Sequence, residues 1–184
     1  AVYSAGTMTM IFNIGLIGER LGFELNKLIP MAALLALTAG TASAIAGRVQ
    51  DRFGHVRTIS VFLILWVIST LLMAGAGQFH ASEPVYWGVA AVIGVALGGI
   101  GTSSRAIVGA FTPDERAGEF FGLWGMIYKL SGIVGVLLFG MLLSVAGQPV
   151  ALLVVAGLFA LGLVLLLRVD EAEGIATTRM AGDG

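Results

Sequence analysis

Five stretches of this chain, Ala1–Gly18, Leu28–Gly47, Thr58–Gly77, Pro84–Ser104 and Leu130–Leu167, contain no Asp, Glu, Lys or Arg. The first four have about the length, roughly 20 residues, that carries a helix across a hydrocarbon core about 30 Å thick. The fifth is nearly twice as long and is divided by the turn signal Gly147-Gln148-Pro149. Its first half reaches back past Lys129 to Glu119, which makes it the one span interrupted by a charge. Lipid offers no partner for open backbone groups, so such runs are helices unless they carry the short polar/apolar alternation of barrel strands. No such alternation occurs. The reading is an all-α membrane protein with six transmembrane helices, at approximately 1–18, 28–47, 58–77, 84–105, 119–146 and 150–168, and a disordered cytoplasmic tail over 169–184. Pro30, Pro84, Pro113 and Pro149 fall at or beside the predicted helix starts, where a missing N–H costs least.

Composition agrees. Of 184 residues, 58% are hydrophobic and 11% charged, against about 45–50% and about 25% in soluble domains. That balance excludes an ordinary soluble enzyme, and a mean hydropathy of +0.98 excludes a disordered chain. A net charge of −1 gives no basic excess for nucleic acid, and the absence of Cys excludes disulfides and thiolate metal sites. His55 and His80 lie in opposite loops with no metal-ligand spacing. The run Gly98-Gly99-Ile100-Gly101-Thr102-Ser103-Ser104 lacks the Gly-Lys-Ser/Thr ending of a phosphate loop and reads as helix packing. No cofactor or metal is called for, and no enzyme is expected. Ala1 stands inside apolar sequence without a positive flank, so a truncated chain is expected rather than a signal peptide.

Orientation follows from the cations, because short cytoplasmic loops retain Lys and Arg. Arg48, Arg52, Arg57, Arg105, Arg116, Arg168 and Arg179 fall on one side and only Arg20 and Lys27 on the other. The 47–57 loop and the C-terminus are therefore expected in the cytoplasm, with Tyr86 and Trp87 at the outer interface. The Ala, Gly and Val richness hints at a bacterial plasma membrane.

The 47–57 loop packs four charges between two spans. Gly47 and Gly54 permit close approach or positive φ, Asp51 is placed to face the positive N-terminus of a neighbouring helix, and Arg52 to pair with a carboxylate. The plain alternative is a retained basic loop. The pattern from Gly47 through Asp51, Arg52 and Gly54 to the basic Arg57 resembles the loop signature of the major facilitator superfamily. Gly98-Gly99, Ser104-Arg105, Pro113, Glu119-Phe120-Phe121-Gly122, Lys129, Leu137-Leu138-Phe139-Gly140 and Val169-Asp170-Glu171-Ala172-Glu173-Gly174 resemble the branch that holds the autophagy-linked vacuolar amino-acid effluxers and their bacterial relatives. The resemblance implies helices seven to twelve of a twelve-helix carrier, one half of the bundle, with Gly47, Asp51, Arg52, Gly54 and Arg57 as a conformational lock. Two departures stand out. Members of the branch often carry Asn-Asp just before the glycine aligned with Gly6, where this chain has Ser4-Ala5, and the loop signature usually ends in two basic residues, where His55-Val56-Arg57 supplies one certain charge.

Lys129 sits roughly 15 Å beyond Glu119 along a helix, near the midplane, where an ammonium costs at least about 2.5 kcal/mol. Gly118, Gly122, Gly125, Lys129, Gly132 and Val136 share one helical face, a small-residue stripe that should face protein or a central cavity. Lys129 is thus a candidate for solute binding or charge coupling, with a Lys bonded to backbone carbonyls as the structural alternative. Gly94, Gly98, Gly101, Arg105 and Gly109 repeat the device, and an Arg105–Glu119 ion pair across the next connection would partner both charges. Tyr3 and Asn13 could share a polar face toward the cavity or act as interhelical glue. The leading expectation is secondary transport of a small solute by alternating access. The expected partners are the lipid bilayer, the solute, and a missing N-terminal six-helix half or a second copy. A non-transporting scaffold or sensor, or a six-helix homodimer, remains the alternative.

Overall fold

The computed structural model describes residues 1–20, 22–79 and 82–182, without the side chains of 12–14, 16, 17, 20 and 179–182. Among the described residues six long helices follow one another: α1 (Val2–Arg20), α2 (Leu25–Phe53), α3 (His55–Gln78), α4 (Glu83–Ala110), α5 (Ala117–Val145) and α6 (Gln148–Leu166). A short 3-10 turn, Asp114–Arg116, precedes α5. Five of them, α2 to α6, are long and apolar enough to cross a membrane, and α1 packs against α5 and α6 in the same bundle. The protein is an all-α membrane protein.

Local boundaries differ from expectation in three places. The span expected to stop at Gly47 continues to Phe53, so most of the 47–57 loop is helix. Twenty-nine residues rise about 43 Å, enough to cross the hydrocarbon and the headgroup layer, so the charged last turns can lie in a polar environment while remaining helical. The helix ends only at Gly54, whose φ of 88° and ψ of 158° suit a residue without Cβ. Pro30 lies inside α2 rather than at its start, whereas Pro84 and Pro149 do open α4 and α6. The tail expected to be disordered forms a seventh helix, α7 (Glu171–Gly182). Asp170 initiates it, its Oδ1 accepting from the backbone N–H groups of Ala172 and Glu173 at 3.0 and 3.1 Å.

The order of packing is α2 on α4, α4 on α3, α3 on α6, α6 on α1 and α1 on α5. Exchanging α1 with α4, α2 with α5 and α3 with α6 reproduces this order in reverse. Helices three spans apart run in opposite directions, so the bundle is two three-helix units of inverted topology. Small residues allow the closest approaches. A Cβ on Gly98 would overlap the Ala39 carbonyl of α2, and one on Gly135 would overlap the Ala5 carbonyl of α1. Gly6 and Gly99 seat the rings of Phe159 and Phe62. At the centre, Trp66 of α3 stacks on Phe159 of α6 with centroids 4.8 Å apart.

Candidate functional site

Lys129 opens into a groove of about 730 Å³ to which α5 contributes Trp124, Gly125, Tyr128, Lys129 and Gly132, α4 contributes Arg105, and α1 contributes Met8. The i, i+4 spacing of α5 stacks the rings of Trp124 and Tyr128, 5.4 Å between centroids and 28° between planes. The glycine stripe of α5 divides along its length. Gly132 is buried against Met8, while Gly118, Gly122 and Gly125 have open space where a Cβ would stand. Gly125, one turn before Lys129, leaves room beside the Lys129 stem. In α4, Gly94 and Gly98 pack on α2, and Gly101, one turn before Arg105, faces open space.

Arg105 and Glu119 do not pair. Glu119 instead takes a two-point contact from Arg116, at 2.9 Å from Nε and 2.8 Å from Nη2. Local geometry decides this: Arg116 lies three residues before Glu119, close enough along one turn, while Arg105 is turned toward the groove on α4. Among the described residues neither Arg105 nor Lys129 has a carboxylate within ion-pair distance.

Tyr3 is engaged in holding helices. Its hydroxyl donates to Ser104 Oγ at 2.7 Å, and Ser104 donates to the Ile100 carbonyl. This joins α1 to α4 one residue before Arg105. The Asn13 side chain lies outside the described residues, as does His80. At the position of the missing Asn-Asp pair, Ser4 shares a hydrogen bond with Ser131 of α5 at 2.8 Å and Ala5 is buried. That surface is an α1–α5 contact.

The residues of the 47–57 segment are arranged differently from expectation. Gly47 is helical with open space around it, Asp51 and Arg57 are exposed, and Arg52 lies over the Phe53 ring at 5.4 Å rather than beside a carboxylate. The carboxylate that caps a helix here is Glu171, not Asp51. Glu171 Oε1 accepts from the His55 backbone N–H at 2.8 Å and Oε2 from that of Val56 at 2.9 Å, with the His55 ring Nδ1 at 2.7 Å. These are the first N–H groups of α3, which no residue of α3 itself can satisfy. Burial pushes the Glu171 carboxyl up, but hydrogen bonds from Val56 and His55, with the charge of the His55 ring, hold it below its ordinary 4.5. Gly54 completes the junction, since a Cβ there would lie 3.1 Å from Glu171 Oε2. At the opposite end of the bundle Lys27 pairs with Glu83 at 2.6 Å and ties the starts of α2 and α4. Sequence reading missed both contacts. An acidic pair directly after the last span, Asp170-Glu171, was the available signal for the first.

The model of the major facilitator superfamily matches residues 1–183. The chain belongs to the major facilitator superfamily. Among curated relatives of this superfamily member, an uncharacterised MFS-type transporter, YxiO of Bacillus subtilis, is 25% identical over 182 residues, which is 98% of this chain and 42% of the relative. Autophagy-related protein 22-2 of Aspergillus oryzae is 28% identical over 144 residues, 68% of this chain and 23% of the relative. The chain thus spans less than half the length of either. As a superfamily member it is an integral membrane protein of a transporter family, and its two inverted three-helix units are the superfamily's half-bundle.

Proposed function

We propose that this chain is the C-terminal half of a secondary carrier that moves a small solute, an amino acid or a similar metabolite, by alternating access. The observation that carries the reading is the groove with Lys129 near the middle of α5 and Arg105 nearer the end of α4, both without a carboxylate partner among the described residues. Intramembrane charges of this kind belong to solute or ion pathways, since a merely structural helix has no reason to bear the insertion penalty. Resemblance to the effluxer branch supports the solute class. The remaining half of the carrier closes the groove in this reading, and rocking of one half against the other exposes it alternately to the two sides. Gly47, Asp51, Arg52, Gly54 and Arg57 lie at the end that the Lys and Arg distribution assigns to the cytoplasm of a bacterial cell, together with the C-terminus. There they act, with Glu171, as the latch of one state.

The test is solute flux in vesicles reconstituted with the full-length protein. Lys129→Ala is expected to abolish net flux while the protein still inserts and purifies as a single species. Unchanged flux overturns the assignment of the groove. Intact mass from native membranes separates a fused carrier, near twice 19.0 kDa or above, from a homodimer of half-length chains.

A further inference from the structure

The chemistry of the groove restricts what it can take. None of its lining residues is acidic, and two of them are cations. Among the described residues the acidic ones lie toward the helix ends: Glu19, Glu24 and Glu83 at one face of the membrane, and Asp51, Asp114, Glu115, Glu119, Asp170, Glu171 and Glu173 at the other. Glu119, on the same helix as Lys129, is already held by Arg116. The ammonium of a neutral zwitterion would therefore enter a groove with two like charges and, among the described residues that line it, no carboxylate to pair it. An anion meets the opposite situation.

The two cations also stand at different depths. Arg105 is five residues from the α4 end at Ala110 and Lys129 twelve from the α5 start at Ala117. These two ends face the same side of the membrane, so the residues differ by about 10 Å in depth along the helix axes. Both side chains are long enough to close much of that gap. A single small carboxylate offers one acceptor group to two cations held at different depths, whereas a molecule with an anionic group at each end offers one to each. The stacked Trp124 and Tyr128 rings, on the same stretch of α5, offer an apolar wall to the carbons between.

Resting on the transport reading above, and narrowing its amino acids and similar metabolites to those with two anionic groups, we propose that the solute is a small organic acid with two carboxylates. One carboxylate is gripped by the planar guanidinium of Arg105 toward the end of α4 and the other by the Lys129 ammonium near the middle of α5. The geometry selects for separated negative charge, and selects against monocarboxylates and neutral amino acids.

Equilibrium binding and flux of radiolabelled succinate, with butyrate and leucine as competitors, test this on the full-length protein in lipid. Succinate should bind, and butyrate, which keeps the carbon chain but loses one carboxylate, should compete at least about tenfold more weakly, the worth of one charge-assisted contact. Leucine should not compete. Lys129→Gln and Arg105→Gln should each weaken succinate by about tenfold or more and remove its advantage over butyrate, while Lys129→Arg and Arg105→Lys restore part of it. The proposal is overturned by leucine displacing succinate at equal concentration, by no succinate binding to the wild-type protein, or by Gln variants that bind it unchanged. The wild-type selectivity needs no variant and stands even where a variant misfolds. Binding without flux would remove the carrier reading and leave the dicarboxylate site. Leucine flux without succinate binding would do the reverse.

Discussion

Glu171 and His55, 116 residues apart in sequence, meet at 2.8 Å where the first backbone N–H of α3 donates into the carboxylate that opens α7. A single side chain thereby fastens the helix after the last span to the junction of the second and third. Replacing Glu171 by Ala leaves the first N–H groups of α3 uncapped and should lower stability by about 1–2 kcal/mol, the usual worth of an N-cap. Thermal unfolding in detergent, together with faster amide exchange at His55 and Val56, checks it.

The same carboxylate makes the junction pH-dependent. Its folded pKa lies below its ordinary 4.5, so its contribution is fully present above that value and is lost as pH falls through the lowered folded value. Protease sensitivity of α7 should therefore rise as the pH falls below that ordinary value. In Glu171→Gln the rise should vanish.

Gly54 has φ 88° and ψ 158°, a region essentially limited to glycine. Gly54→Ala should cost about 1–3 kcal/mol through backbone strain and crowd Glu171 besides. Loss of protection at both His55 and the start of α7 would distinguish this from a general destabilisation. An unchanged melting temperature would contradict the backbone geometry.

Arg105 and Glu119 are not partners, so the losses of Arg105→Ala and Glu119→Ala should add to within about 0.5 kcal/mol. Arg116 and Glu119 do touch, yet both are more than half exposed, and a double-mutant cycle there should return no more than about 0.5 kcal/mol.

Glycines on one helix should separate by what faces them. Gly98→Ala places a methyl on the Ala39 carbonyl and should destabilise by about 1–3 kcal/mol. Gly101→Ala, with open space around it, should be neutral or stabilising by about 0.5–1 kcal/mol. Melting temperatures of the two variants decide.

Tyr3→Phe removes the bond to Ser104 and should cost about 0.6 kcal/mol, in the range of interhelical polar contacts within membranes. Solute affinity should remain unchanged, because Tyr3 is not among the residues that line the groove.

Much of this protein is legible in its sequence. Uninterrupted apolar runs dictate helices in lipid, so the six rods and their approximate limits followed from the placement of charges. Helical periodicity placed six residues, Lys129 among them, on one face; of these Gly125, Lys129, Gly132 and Val136 line the groove, while Gly118 and Gly122 do not. Prediction stopped where local chemistry has several outlets. Arg105 could pair across a connection or turn inward, and nothing in its neighbours decided between them. Arg116, three residues from Glu119, won the carboxylate by proximity.

The order of residues by itself determined that the chain must lie in a membrane as helices, because long apolar runs without the alternation of barrel strands can satisfy their backbone groups in lipid only that way. Only the folded bundle decided which polar groups meet. Ser4 reaches Ser131, Tyr3 reaches Ser104, and Glu171 rather than Asp51 caps α3. Those choices depend on which helix faces lie against each other, and that depends on where glycine lets two backbones close together, which is a property of pairs of helices and not of any single segment.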